Sequence, residues 1–235
     1  MKAWGYWATL GWALLAFIAG QFVALAVVMW WRVADLSVLI DSPYDGAQVT
    51  TLILVANPVT IAILAIAIRL ARVPLVEYLA LTAPQIHDLR VGILGLIGLI
   101  VIGDALLYFS GQPLVTPFQL DSYASARTEG WLPAFLIAAV IIAPAAEETI
   151  FRGFLFRGWA RSGRTVIPAI GVISLLWAAL HVQYDWTGVA QIFVIGLFLG
   201  WMRWRSGSTL LTFLLHALFN LEGTLETVLQ LRFFS

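Results

Sequence analysis

The sequence predicts an all-α, polytopic membrane bundle of about seven transmembrane helices. Three observations carry this. Hydrophobic residues make up 61% of the 235 residues and charged residues only 11%, against about 25% charged in a soluble domain. The mean hydropathy is +0.93. The apolar residues also gather into runs long enough to cross about 30 Å of hydrocarbon as helices, parted by polar turns. A single integral membrane domain over residues 1–235 follows. The formal net charge is zero and the basic residues sit at short turns, so nothing points to nucleic acid. The absence of cysteine excludes disulfides, thiol catalysis and cysteine-ligated metal.

The first span covers residues 3–31, flanked by Lys2 and Arg32, with Trp4, Trp7, Trp30 and Trp31 near its ends, where interfacial aromatics belong. Ala24-Leu25-Ala26 resembles a signal-peptide cleavage site, but the apolar run continues past it, which favours a retained, tilted helix. Residues 33–48 are polar, with Asp35, Asp41 and Asp45 and a turn at Pro43 to Gly46. The second span is 49–68, kinked at Pro58 and closed by Arg69 and Arg72. Residues 73–90 form a connection with room for an interfacial helix. In the third span, 91–109, Gly92, Gly95, Gly98 and Gly103 read as close-packing positions, and Asp104 as a capped or snorkelled acid near the outer end, in preference to a proton relay or inward-facing site residue.

Residues 110–130, with Pro113 and Pro117, read as a polar loop. A fourth span, 131–156, carries Glu147, Glu148 and Arg152 inside an otherwise apolar run. The fifth, 166–182, ends in His181, and the turn after it holds Asp185. The sixth, 188–201, has Gly196 and Gly200 one turn apart, a packing signature. The seventh starts over 209–221 with His216 and Asn220, then turns weakly polar at Glu222 and Glu226. Splitting the long first segment or the C-terminal one would give six to eight spans. Lys2, the 69–90 connection and the turns at 152–164 and 203–205 are basic, while the intervening loops are acidic or poor in positive charge. The basic set marks the cytoplasmic side. This predicts a multi-pass cell-membrane protein with its N-terminus in the cytoplasm, its C-terminus outside, and access to Glu147 from the cytoplasm.

A charge inside hydrocarbon costs several kcal/mol unless it is paired or faces water, so buried charges mark a functional site. Glu148 and Arg152 are i and i+4, suited to an internal ion pair. That leaves Glu147, about 100° round the helix, as the carboxylate facing a cavity. His216 and Asn220 share one helix face by the same spacing, and Trp177 sets an aromatic ring against His181. At 1.5 Å per residue, Glu147, His181, His216 and Asn220 all fall about 12–21 Å from the inner ends of their spans, so three helices can enclose one site. A carboxylate can act as general base toward water, and a histidine can share that water or protonate a leaving amine. A second histidine and an asparagine amide can donate to an oxyanion. No serine sits there as nucleophile; Ser174, two turns before His181, reads as a packing hydroxyl.

Glu147-Glu148-x-x-x-Arg152, then Trp177-x-x-x-His181, then His216-x-x-x-Asn220 resemble the CAAX protease and bacteriocin-processing (CPBP) family of type II CAAX prenyl endopeptidase-like intramembrane proteases. The resemblance covers residues 131–222, a catalytic core. It implies an intramembrane endopeptidase of the glutamate type, in which Glu147 and His181 activate water and His216 and Asn220 stabilise the oxyanion. Glu148, Arg152 and Trp177 support and orient them. Trp177 stands where the family usually has phenylalanine. The implied partners are the lipid bilayer and a membrane-associated peptide or protein substrate. No cofactor is expected. The alternative is a zinc-dependent protease with Glu147, His181 and His216 as ligands, although the His-Glu-x-x-His helix of common zinc proteases is absent. The rival from another class is a non-enzymatic transporter or scaffold, which buried charges and Gly-rich helices would also suit.

Overall fold

The computed structural model describes residues 4–31, 42 and 44–233, and among them it holds helices and no strands. Lys2, Arg32, Asp35, Asp41 and Pro43 lie outside the described residues. The helices are α1 Tyr6–Trp31, α2 Gly46–Leu70, the short α3 Leu75–Tyr78, α4 Ile86–Phe109, α5 Pro117–Thr128, α6 Leu132–Trp159, α7 Gly163–Ala179, α8 Trp186–Ser206 and α9 Thr209–Phe233. Of these, α1, α2, α4, α6 and α8 are each long and apolar enough to cross a membrane. The 17-residue α7 is apolar but shorter. The protein is a multi-pass membrane protein built as an all-α bundle.

Contacts at the helix ends show which turns share a side of the bundle. Trp159 Nε1–H donates to Tyr6 O (3.1 Å), and Arg161 donates to Trp4 O. Arg205 Nε–H donates to Asp88 (3.0 Å), and Thr209 Oγ1–H to Leu79 O (2.6 Å). The N-terminus and the turns after α2, α6 and α8 therefore meet at one end, the basic end. At the other, Tyr44, Phe118 and Tyr184 stack edge to face in series, 5.4 and 5.7 Å between centroids, and Gly46 N–H donates to Ser125 Oγ (2.8 Å). Among the described residues, α1, α2, α4, α6 and α8 run between these ends, and α7 and α9 pack among them.

Local chemistry moves several boundaries. Asp45 caps α2 by accepting from Gln48 N–H (2.8 Å), so that helix starts three residues before the expected span and runs on through Pro58. The expected loop over 110–130 instead contains α5. Its start is a capping box: Gln119 N–H donates to Thr116 Oγ1, Thr116 N–H donates to Gln119 Oε1, and Pro117 takes the first helical position. His181 lies just beyond α7, after its C-cap Leu180.

Small residues set the closest approaches. Thr9, Ala13, Ala16, Gly20, Ala24 and Val28 form the buried stripe of α1 at helical spacing, so Ala24 has a packing role against α2. A Cβ on Gly20 would sit 2.6 Å from Ala56 O. On α8, a Cβ on Gly196 would meet Ser174 and Trp177, and one on Gly200 would meet Ile170. Gly92, Gly95 and Gly103 pack similarly, whereas Gly98, expected to do so, faces open space. Ser174 is buried at the α7–α8 contact, as a packing hydroxyl should be.

Candidate functional site

The site is built on the interior of α6, where a proline changes the helix. Pro144 has no N–H and its ring crowds the carbonyl four residues back, so a regular turn cannot pass through it. The helix widens over Ala138–Ile142, and Ala143 N–H bonds five residues back to Ala138 O. Ala139 O thereby loses its regular donor at 143, and position 144 has none to offer. Asn220 Nδ2–H fills the gap at 2.9 Å, tying α9 to α6. A second wide segment, Thr149–Leu155, repeats the device. Phe156 N–H reaches back to Phe151 O, and Arg152 O accepts from Arg203 Nε–H on α8 (3.0 Å).

Glu148 and Arg152 form the expected ion pair, 2.8 Å apart, and each is 1% exposed. Glu148 Oε1 also faces His216 Nδ1 at 3.0 Å. A carboxylate can only accept, so Nδ1 carries the proton and Nε2 points away. Arg152 Nη2–H donates to Gly196 O (3.2 Å), and its guanidinium lies 4.5 Å over the Trp177 ring.

Glu147 has the opposite surroundings. Its side chain is 25% exposed and lines a cavity of about 600 Å³ together with Trp177, His181, Tyr184, His216 and Asn220. Expected to be unpaired, it in fact accepts a 2.6 Å hydrogen bond from Trp177 Nε1–H. The imidazole that approaches it is His216, with Nε2 3.9 Å from Oε2, rather than His181. His181 stands edge-on to Trp177 (5.2 Å between centroids), and its Nδ1 donates to Trp177 O (2.8 Å), which leaves Nε2 without a protein partner. Trp177 thus touches His181 as expected, but also His216 (5.1 Å), Arg152 and Glu147.

The sequence reading missed Tyr184 and ranked the inward-facing role of Asp104 second. Tyr184 lies in the turn after α7, and its phenol is pushed up to about 12 by burial and by the charge of Glu147, so it keeps its proton at neutral pH. Asp104, read as a capped or snorkelled acid, instead meets Glu222 and Glu226 of α9. A zinc centre needs its protein ligands gathered at about 2.0–2.2 Å from one point. Among the described residues, the three ligand atoms lying within 4.8 Å of one another are those of Asp104, Glu222 and Glu226. Of the candidate set Glu147, His181 and His216, His216 Nε2 and Glu147 Oε2 lie 3.9 Å apart, and the three do not all gather within 4.8 Å of one another.

The cavity also corrects the expected route to Glu147. Its lining includes Tyr44, Leu114, Pro117, Gln183 and Asp185, all at the end away from the basic turns. The site therefore opens opposite to the side the sequence suggested.

Residues 129–221 match the family model described as Type II CAAX prenyl endopeptidase Rce1-like. This is the family the three motifs resemble, and the matched segment holds all of them. An uncharacterized 24.3 kDa protein of Escherichia coli is 32% identical over 139 residues, covering 57% of this chain and 64% of that protein. The chain thus spans less than two thirds of the curated relative's length. No solved structure matches.

Proposed function

We propose that this protein is an intramembrane endopeptidase that hydrolyses a peptide bond in a membrane-associated peptide or protein, using Glu147 as general base and no metal. The carrying observation is the contrast between two adjacent carboxylates. Glu148 is committed to Arg152 and His216, while Glu147 faces the cavity with a bare imidazole nitrogen 3.9 Å away. That gap is too long for a direct hydrogen bond and suits one bridging water.

In this reading the water sits between Glu147 Oε2 and His216 Nε2. Glu147 takes its proton as the oxygen attacks the scissile carbonyl carbon, then returns it to the leaving amine as the C–N bond breaks. Glu148 holds His216 in the tautomer that offers Nε2. His181, whose Nε2 has no protein partner, supplies a second nitrogen to the water. The Tyr184 hydroxyl and the remaining Nδ2–H of Asn220 are the donors for the oxyanion. The role of His216 differs here from the one the resemblance implies, because its Nδ1 proton is spent on Glu148. The N-terminus and the basic turns lie in the cytoplasm.

The test is cleavage of a peptide library by the purified protein. Glu147→Gln should lower turnover by about 10²–10⁴-fold while the protein stays folded. His181→Ala and His216→Ala should also lose most activity. Cleavage that survives Glu147→Gln would sink the mechanism, and activity abolished by chelation and restored by zinc would replace it with metal chemistry. A folded protein that cleaves nothing returns the field to a transporter or scaffold.

A further inference from the structure

The cavity has a floor as well as a mouth, and the two ends of the bundle differ in charge. Ile150 and Phe151 line it beside Glu147, and below them Phe154, Leu155 and Phe156 are buried. Tyr78 stacks on Phe154 at 5.4 Å, and Leu79 fills the space beside Gly153. This packed layer, with the Glu148–Arg152 pair above it, separates Glu147 from the basic end. No described lining residue comes from the turns after α2, α6 or α8. At the other end Leu114, Gln183 and Asp185 line the mouth, and Leu114 and Asp185 are exposed.

Arg69, Arg72, Arg157, Arg161, Arg164 and Arg205 lie at the sealed end. Among the described residues, the open end has Arg127 and Arg232, against Asp45, Asp121, Glu129 and Asp185. An excess of arginine in short loops marks the side that stays in the cytoplasm.

Taking cavity and charge together, we infer that the site is reached from the extracytoplasmic side. Its substrate is a polypeptide segment exposed on, or already exported to, that side of the membrane, not one held in the cytoplasm. The substrate assignment rests on the hydrolase reading above; the sidedness of the cavity does not. A cytoplasmic segment would have to pass the layer of Phe154, Leu155 and Phe156 to meet Glu147. An exported segment meets, among the described residues, Tyr44, the start of α5 and the turns after α4 and α7.

The chain has no cysteine, so single cysteines report accessibility without background. Gln183→Cys and Leu114→Cys place a thiol at the mouth by two independent turns. Gly163→Cys places one at the sealed end, where a Cβ meets nothing within 4 Å. Each is expressed in bacteria and treated with a membrane-impermeant maleimide, in intact spheroplasts and in inverted vesicles. The expected result is labelling of both mouth variants in spheroplasts, and of Gly163→Cys only after inversion. Mouth variants that label only in inverted vesicles, or that label from the same side as Gly163→Cys, overturn the inference. The expected labelling in a protein that cleaves no peptide would keep the sidedness and remove the substrate assignment. Cleavage with reversed labelling would keep the hydrolase and place its substrate in the cytoplasm.

Discussion

The half of the bundle between Glu147 and the basic end differs from the half between Glu147 and the acidic loops in how its polar groups are satisfied. In the sealed half the buried charges nearest the site are held by protein partners: Glu148 pairs with Arg152 and faces His216, and Arg203 donates to the Arg152 carbonyl. In the open half Glu147, Tyr184, Asn220 and the acids Asp104, Glu222 and Glu226 share a 600 Å³ cavity. Charges in the sealed half therefore govern stability, and those in the open half govern chemistry.

Arg152→Ala should break this division most visibly. It leaves Glu148 buried with its strongest partner gone, which costs about 3–5 kcal/mol. Thermal unfolding in detergent should show a large loss, with low yield. An Arg152→Ala protein of normal stability would mean the sealed half does not depend on the pair. Trp177→Phe probes the boundary between the halves. It keeps a ring against His181 and His216 and deletes the N–H to Glu147 together with part of the buried indole. A hydrogen bond to a charged group is worth about 1.5–3 kcal/mol, so turnover should fall about ten- to a hundredfold, beside a drop in melting temperature from the lost indole volume. A fall in stability without a fall in turnover would make Trp177 a packing residue.

Much of this division was legible in the sequence. The i, i+4 spacing identified the Glu148–Arg152 pair and turned Glu147 toward the cavity. Spacing did not reveal that Trp177 would reach Glu147, because helical periodicity says which face a residue takes, not which helix packs there. The bond from Asn220 to Ala139 was hidden for another reason. Its cause, Pro144, was in plain view, but a proline inside an apolar span reads only as a breaker until the carbonyls it orphans are followed. The box Thr116-Pro117-x-Gln119 likewise announced α5, and the surrounding prolines obscured it. Access was misjudged because distance along a helix ignores packing: the shorter path from Glu147 leads through the buried layer of Phe154, Leu155 and Phe156.

The proline account has its own test. Asn220→Leu should cost about 1–3 kcal/mol by orphaning Ala139 O. In a Pro144→Ala background, where position 144 regains an N–H, that cost should shrink. Equal costs in both backgrounds would mean the two residues are uncoupled, since contacting partners are expected to deviate from additivity.

The smallest effect lies at the rim of the open half. Asp185 caps α8 by accepting from Gly188 N–H (2.8 Å) and from Thr187 Oγ1–H (2.7 Å). These bonds, that from Gly188 foremost, hold its carboxyl below the usual range. A carboxyl whose pKa is lower folded than unfolded contributes stability above its ordinary value, and loses it as pH falls through the depressed one. The group is exposed and screened, so the contribution stays small. Asp185→Ala should cost about 1 kcal/mol near neutral pH, the usual worth of an N-cap. The difference from the parent should fade in acid, where the parent's carboxyl takes up its proton. A gap that persists undiminished below the carboxylate range would show that the cap acts through packing at the rim, not through charge.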